Sequence, residues 1–106
     1  QRQMCIRDRG CGHSEIAFII ALIFSKALGK SVNASTMADT DFFVMGGNSL
    51  LATTVVIEIN KYFLFTQIGI ADLFRLRSIT EISNYLYAQN PELALRTANA
   101  LISLLE

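Results

Sequence analysis

Two short segments hold side chains of chemical interest. The first is Gly46-Gly47-Asn48-Ser49, where a serine follows two glycines and precedes the apolar segment 50–63. A serine before an apolar helix usually caps it by accepting a free backbone N–H. The other use is as a nucleophile, which needs a base beside it. A nucleophile elbow closes on a glycine two residues after its serine, and here that position is Leu51. The one histidine is His13, near the N-terminus, so no credible base is available and a serine hydrolase is disfavoured. The second segment is Cys5-x5-Cys11-x-His13. It offers three soft ligands but no fourth nearby, and the spacing fits no zinc module, so no metal site is expected. A Cys5–Cys11 disulfide would staple only a short terminal loop.

Helices must position the serine. Ile16, Ile19, Ile20, Ile23, Phe24 and Leu28 recur at helical spacing after Ser14, a candidate cap, and Gly29 ends the pattern. Residues 30–41 are polar and form a long loop. In the next segment, Thr53-Thr54-Val55-Val56-Ile57 favours a strand by local propensity. Leu51, Val55, Ile59 and Tyr62 or Phe63 nevertheless repeat at helical spacing behind Gly47-Asn48-Ser49, and the segment reads as helix. Residues 68–74 read as a loop ending in one helical turn. Ser78-Ile79-Thr80-Glu81 is a capping box opening a helix with Ile79, Ile82, Tyr85 and Leu86 on one face. Asn90-Pro91 starts a last amphipathic segment bearing Leu93, Ala98, Leu101, Leu104 and Leu105. The fold class is therefore all-α.

Composition narrows the function further. The 106 residues fit one domain, and a 52% hydrophobic fraction allows a real core. Nine basic residues balance nine acidic ones, so there is no electrostatic case for nucleic acid or an anionic membrane surface. The apolar run 16–24 is too short to span a bilayer, which takes about 20 residues. Arg2, Arg7 and Arg9 ahead of it fit a signal peptide, but Asp8 and Glu15 do not, and a core helix is the better reading. Residues 1–13 lack periodicity and read as a disordered or non-native terminus. A cytoplasmic location is the default.

The segment Asp41-Phe42-Phe43-x-Met45-Gly46-Gly47-Asn48-Ser49-Leu50-Leu51-Ala52-Thr53 closely resembles the carrier (thiolation) domains of nonribosomal peptide synthetases and related multidomain enzymes. The first helix ending in Leu28-Gly29, the Asp72-Leu73-Phe74 segment and Ser78-Ile79 match further family features in order. The resemblance covers roughly residues 14–87. It implies a small four-helix bundle with a long loop between the first helix and the serine-bearing helix. Residues 14–88 would be the carrier domain, and 89–106 a helical linker or C-terminal extension.

The resemblance also implies a function. Ser49 would receive a covalent 4′-phosphopantetheine arm from coenzyme A through a magnesium-dependent phosphopantetheinyl transferase. The arm would carry aminoacyl, peptidyl or acyl groups as thioesters between partner domains, namely adenylation and downstream condensation, reductase or thioesterase domains. The domain would be a non-catalytic part of a multidomain synthetase or reductase. Gly46 and Gly47 would leave room for the arm, Asn48 and Leu50 would flank it, and Phe42 and Phe43 would anchor the loop. Met45, Leu50 and Phe74 would meet partner domains. Asn48 stands where the family usually has His or Asp, which leaves the carrier subclass open. Residues 64–67 replace a glycine the family often has after this helix. Only Glu58 and Lys61 are charged between Leu50 and Phe63, and they cancel. Docking should therefore be apolar and short-ranged, as in a tethered carrier. A helical interaction module without cofactor is the alternative.

Overall fold

The computed structural model describes residues 11–34 and 36–105, and these form five helices and no strand. Helix α1 runs from Cys11 to Leu28. It turns Ile16, Ile19, Ile20, Ile23 and Phe24 into the core, so the apolar run 16–24 is a core helix face. The helix already includes Cys11, three residues before Ser14, so Ser14 is a helical position and not the N-cap. Residues 11–13 are likewise helical, whereas the expectation of a disordered terminus concerns, for residues 1–10, a part outside the described residues. Cys5 also lies there. Gly29 closes α1 at φ 72°, a conformation costly for other residues, and its N–H bonds to the Ser25 carbonyl at 2.8 Å.

The loop from Lys30 to Asn48 has no regular structure of its own but is tied down along its length. The Ser25 hydroxyl donates to the Ala21 carbonyl at 2.8 Å and accepts the Val32 N–H at 2.9 Å. Further on, the Ala38 carbonyl accepts the Thr80 N–H at 3.0 Å, and the Phe42 N–H donates to the Arg77 carbonyl at 2.7 Å. The loop therefore leans on the end of α1 at one side and on the start of a later helix at the other.

Helix α2 spans Ser49–Tyr62. The β-branched run is helical because its apolar members fall on one inward stripe, where burial outweighs the modest helix penalty of branching. That stripe is Ala52, Val55, Val56 and Ile59, continued by the fully buried Phe63. Val55, Ile59 and Phe63 lie on the expected face, while at its start Ala52 is buried in place of Leu51, which is only half-buried. After it, Asn60 pairs with Ile68 through both its amide nitrogen (2.8 Å) and oxygen (2.9 Å), fixing the 63–69 connection. Within that connection Leu64 is exposed and the Phe65 ring meets Phe63 edge-on.

Helix α3, Ile70–Leu76, is a two-turn helix, longer than the single turn expected. Helix α4, Ile79–Gln89, starts at Ser78, whose side chain accepts the Glu81 N–H at 3.2 Å. The return bond of a full capping box is replaced: the Ser78 N–H goes to the Leu76 carbonyl at 2.7 Å. Helix α5, Pro91–Leu105, is capped by the Asn90 side chain, which accepts from the Leu93 N–H at 3.1 Å. Ala94 and Ala98 bring α5 close to α1 and α4 and are fully buried. Helix α1 is the hub, touching α2, α4 and α5, while α3 bridges α2 and α4.

Among the described residues, the Ser83 hydroxyl is buried without a hydrogen-bond partner. A buried unpaired hydroxyl is a net cost. Ser83→Ala is expected to leave the chain as stable or make it about 0.5–1.5 kcal/mol more stable, read from chemical denaturation. A loss of more than about 1 kcal/mol would mean that the hydroxyl is satisfied.

Candidate functional site

The site is built around the Phe42 ring. Phe42 is fully buried, with Phe24 edge-on at 4.8 Å on one side and Phe43 edge-on at 5.2 Å on the other. Residues 41–47 curl into a compact turn around it. The Asp41 carbonyl accepts the Val44 and Met45 N–H groups, and the Phe42 carbonyl accepts the Gly47 N–H at 3.1 Å. Asp41 Oδ1 also accepts the Phe43 N–H at 2.8 Å. Gly46 takes φ 115°, and a Cβ on Gly47 would fall 2.3 Å from the Phe42 ring. Both glycines are thus required, the first by backbone conformation and the second by close approach.

The chain then enters α2 through Asn48, which is the helix N-cap. Its side-chain oxygen accepts the Leu51 N–H at 2.9 Å, and its carbonyl accepts the Ala52 N–H at 2.8 Å. Capping falls to Asn48 and not to Ser49, which is the first helical residue and is exposed. Among the described residues, the Ser49 hydroxyl has no protein partner, and the Ser49 and Leu50 N–H groups have no acceptor. Two free N–H groups at the positive end of a helix favour an anion beside the hydroxyl.

The three residues expected at a partner contact separate here. Leu50 is 76% exposed and Phe74 42%, but Met45 is buried at 4%. Met45 therefore belongs to the core, because the turn around Phe42 points its side chain inward. Conversely, Val44, not anticipated from sequence, stands 77% exposed on the same turn. Phe74 is held in a parallel stack on Phe43, with ring centroids 4.8 Å apart. Its helix is anchored by Asp72, whose carboxylate accepts the Gly69 N–H and pairs with Arg75 at 2.8 Å. Those two bonds, the backbone one foremost, hold the Asp72 carboxyl below its ordinary pKa.

Arg77 was also missed from sequence. It lies far along the chain in an ordinary polar context, yet its Nε pairs with Asp41 Oδ2 at 2.9 Å and its guanidinium covers the Phe43 ring at 5.3 Å. Nothing in local periodicity signals such a long-range contact.

The all-α bundle presents an unengaged serine hydroxyl at a helix start, beside free N–H donors. Residues 19–86 match the phosphopantetheine attachment site family, and the chain belongs to it. This is a non-catalytic carrier family whose cofactor is a covalently attached 4′-phosphopantetheine. The chain is 33% identical over 69 residues to the phenyloxazoline synthase MbtB of Mycolicibacterium paratuberculosis, covering 65% of this chain and 6% of that protein. It is 36% identical over 64 residues to the protein of the same name from Mycobacterium tuberculosis H37Rv, covering 60% of this chain and 4% of the relative. The chain thus spans about a twentieth of the length of these relatives. No solved structure matches it. No helix among the described residues is long and apolar enough to cross a membrane.

The residues present fit the family's cofactor. The hydroxyl is accessible, and the donors beside it suit a phosphodiester.

Gly47→Ala must displace the Phe42 ring and is expected to cost about 1–3 kcal/mol in chemical denaturation. A cost below about 0.5 kcal/mol would show that the ring yields freely. Asn48→Ala should cost about 0.5–2 kcal/mol through loss of the cap, and Asn48→Asp should restore most of it, as aspartate also caps.

Proposed function

We propose that this chain is a carrier domain bearing phosphopantetheine on Ser49, within a larger multidomain synthetase. The observation that carries the reading is the unengaged Ser49 hydroxyl, exposed at the first position of α2 while Asn48 does the capping. When attached, the arm supplies a terminal thiol that holds aminoacyl, peptidyl or acyl groups as thioesters. The chain's own residues do the positioning. Gly46 and Gly47 let the turn close on the Phe42 ring, the Ser49 and Leu50 N–H groups would be available to a phosphate, and the Phe42 anchor keeps the serine from drifting.

Its partners on this reading are a phosphopantetheinyl transferase with coenzyme A, an adenylating domain that selects the load, and a downstream condensation, reductase or thioesterase domain. The relatives' name, a synthase, and their far greater length support membership of a larger enzyme. Leu50 and Phe74, both exposed near the serine's helix and loop, are the proposed partner contacts. The carrier unit is drawn at residues 14–88, with α1 reaching back to Cys11 and residues 89–106 forming an extension whose helix docks on α1 and α4. The working location is the cytoplasm, where coenzyme A is at hand.

Intact-mass spectrometry tests this after incubation with a broad-specificity phosphopantetheinyl transferase, coenzyme A and magnesium. The folded chain is expected to gain one phosphopantetheinyl unit, and Ser49→Ala none. No gain on folded wild-type chain, or a gain that persists in Ser49→Ala, rejects the proposal in favour of a helical interaction module.

A further inference from the structure

Arg77 adopts φ 61°, ψ −36°, and among the described residues it is the only one other than glycine with positive φ. A side chain with a Cβ is disfavoured there, whereas glycine is not. The conformation is held from both sides: the Arg77 N–H bonds to the Leu73 carbonyl at 2.8 Å, and its own carbonyl accepts the Phe42 N–H at 2.7 Å. The side chain meets the same loop. Its Nε pairs with Asp41 at 2.9 Å, and the guanidinium lies over Phe43 at 5.3 Å. One residue at the α3–α4 junction thus grips three successive residues, Asp41, Phe42 and Phe43, just ahead of the Gly46-Gly47 turn. Phe43 in turn stacks on Phe74 of α3, so both ends of the grip rest on the same helix pair.

We propose that Arg77 is a positioning residue for Ser49, clamping the serine loop to the α3–α4 junction. The proposal rests on the reading of Ser49 as the attachment point. Both members of the Arg77–Asp41 pair are partly in solvent, at 49% and 31% side-chain exposure, so its contribution to global stability is small. Its effect falls on the population of the ordered loop. For a transferase that accepts only the ordered form, the apparent KM is the intrinsic one divided by the fraction of time the loop is ordered, while turnover once bound is unchanged.

Arg77→Gly removes the guanidinium and relaxes the backbone, so the variant is expected to fold with an unchanged or higher melting temperature. Amide hydrogen exchange in residues 43–47 should quicken about three- to tenfold, with the transferase KM for the protein rising by no more than that factor and kcat holding within about twofold. Arg77→Lys, which keeps the charge, should recover part of both. If Arg77→Gly leaves loop exchange and KM as in wild type, or if the change falls on kcat or melting temperature alone, the clamp is refuted. Loop exchange needs no cofactor: should the wild-type chain accept no arm, the attachment reading fails by itself, and exchange still decides whether Arg77 orders the loop.

Discussion

Everything at the serine end of this bundle depends on how closely the Phe42 ring approaches the backbone of Gly47. The ring occupies the space that any larger residue at position 47 would need for its Cβ, 2.3 Å away. With that contact made, the turn from Asp41 to Gly47 is forced tight, and the chain leaves it in the direction that starts α2. The ring is itself fixed by Phe24 of α1 and by Phe43. The position of an exposed hydroxyl is thus traceable, through one buried aromatic, to the hub helix of the core. Close-packed interiors transmit position in this way because they have little free volume to absorb a shift.

A second consequence concerns the division of labour at the helix start. Helices leave N–H groups unsatisfied at their N-termini, and a serine there would ordinarily be recruited to satisfy one. Here Asn48 takes that task. The Ser49 hydroxyl then has no structural bond to lose, so esterifying it removes nothing from the fold. Had Ser49 been the cap, attachment at the same oxygen would compete with the helix for it. The departure at position 48 therefore keeps what the helix start needs, a short side-chain acceptor, without supplying a charge.

Most of the architecture was readable in the residues because local and global signals agree. The stop at Gly29, the Ser78 cap and the Ile79, Ile82, Leu86 face each follow from nearby residues and appear in the fold. The helical state of residues 53–57 was readable only through spacing, since branching alone argued for a strand. What was not legible is what depends on distant contacts. The resemblance alone put Met45 at a partner contact, whereas the curl around Phe42 makes it core. Arg77 looks like any loop arginine until the fold brings it to Asp41 and Phe43. That α1 extends ahead of Ser14 was obscured because Ser14 resembles a cap and helix ends are weakly encoded.

The surface around Ser49 has a physical character that bears on how a partner could find it. Glu58 is engaged by Lys26 at 3.4 Å, and the Lys61 ammonium lies 5.2 Å from the Tyr62 ring. Leu50 and Ile57, seven residues apart and so on one helix face, are both exposed and apolar, as is Val44 on the preceding turn. These three side chains exert no long-range attraction of their own, because steering at a distance requires charge. They can act only by contact, where a few apolar side chains leaving water contribute modestly. Weak contact-range docking becomes effective when the partner is already held nearby, since a linker replaces bulk concentration by a far higher local one. On the proposed carrier reading, the small apolar patch beside Ser49 would suit partner domains held on the same tether.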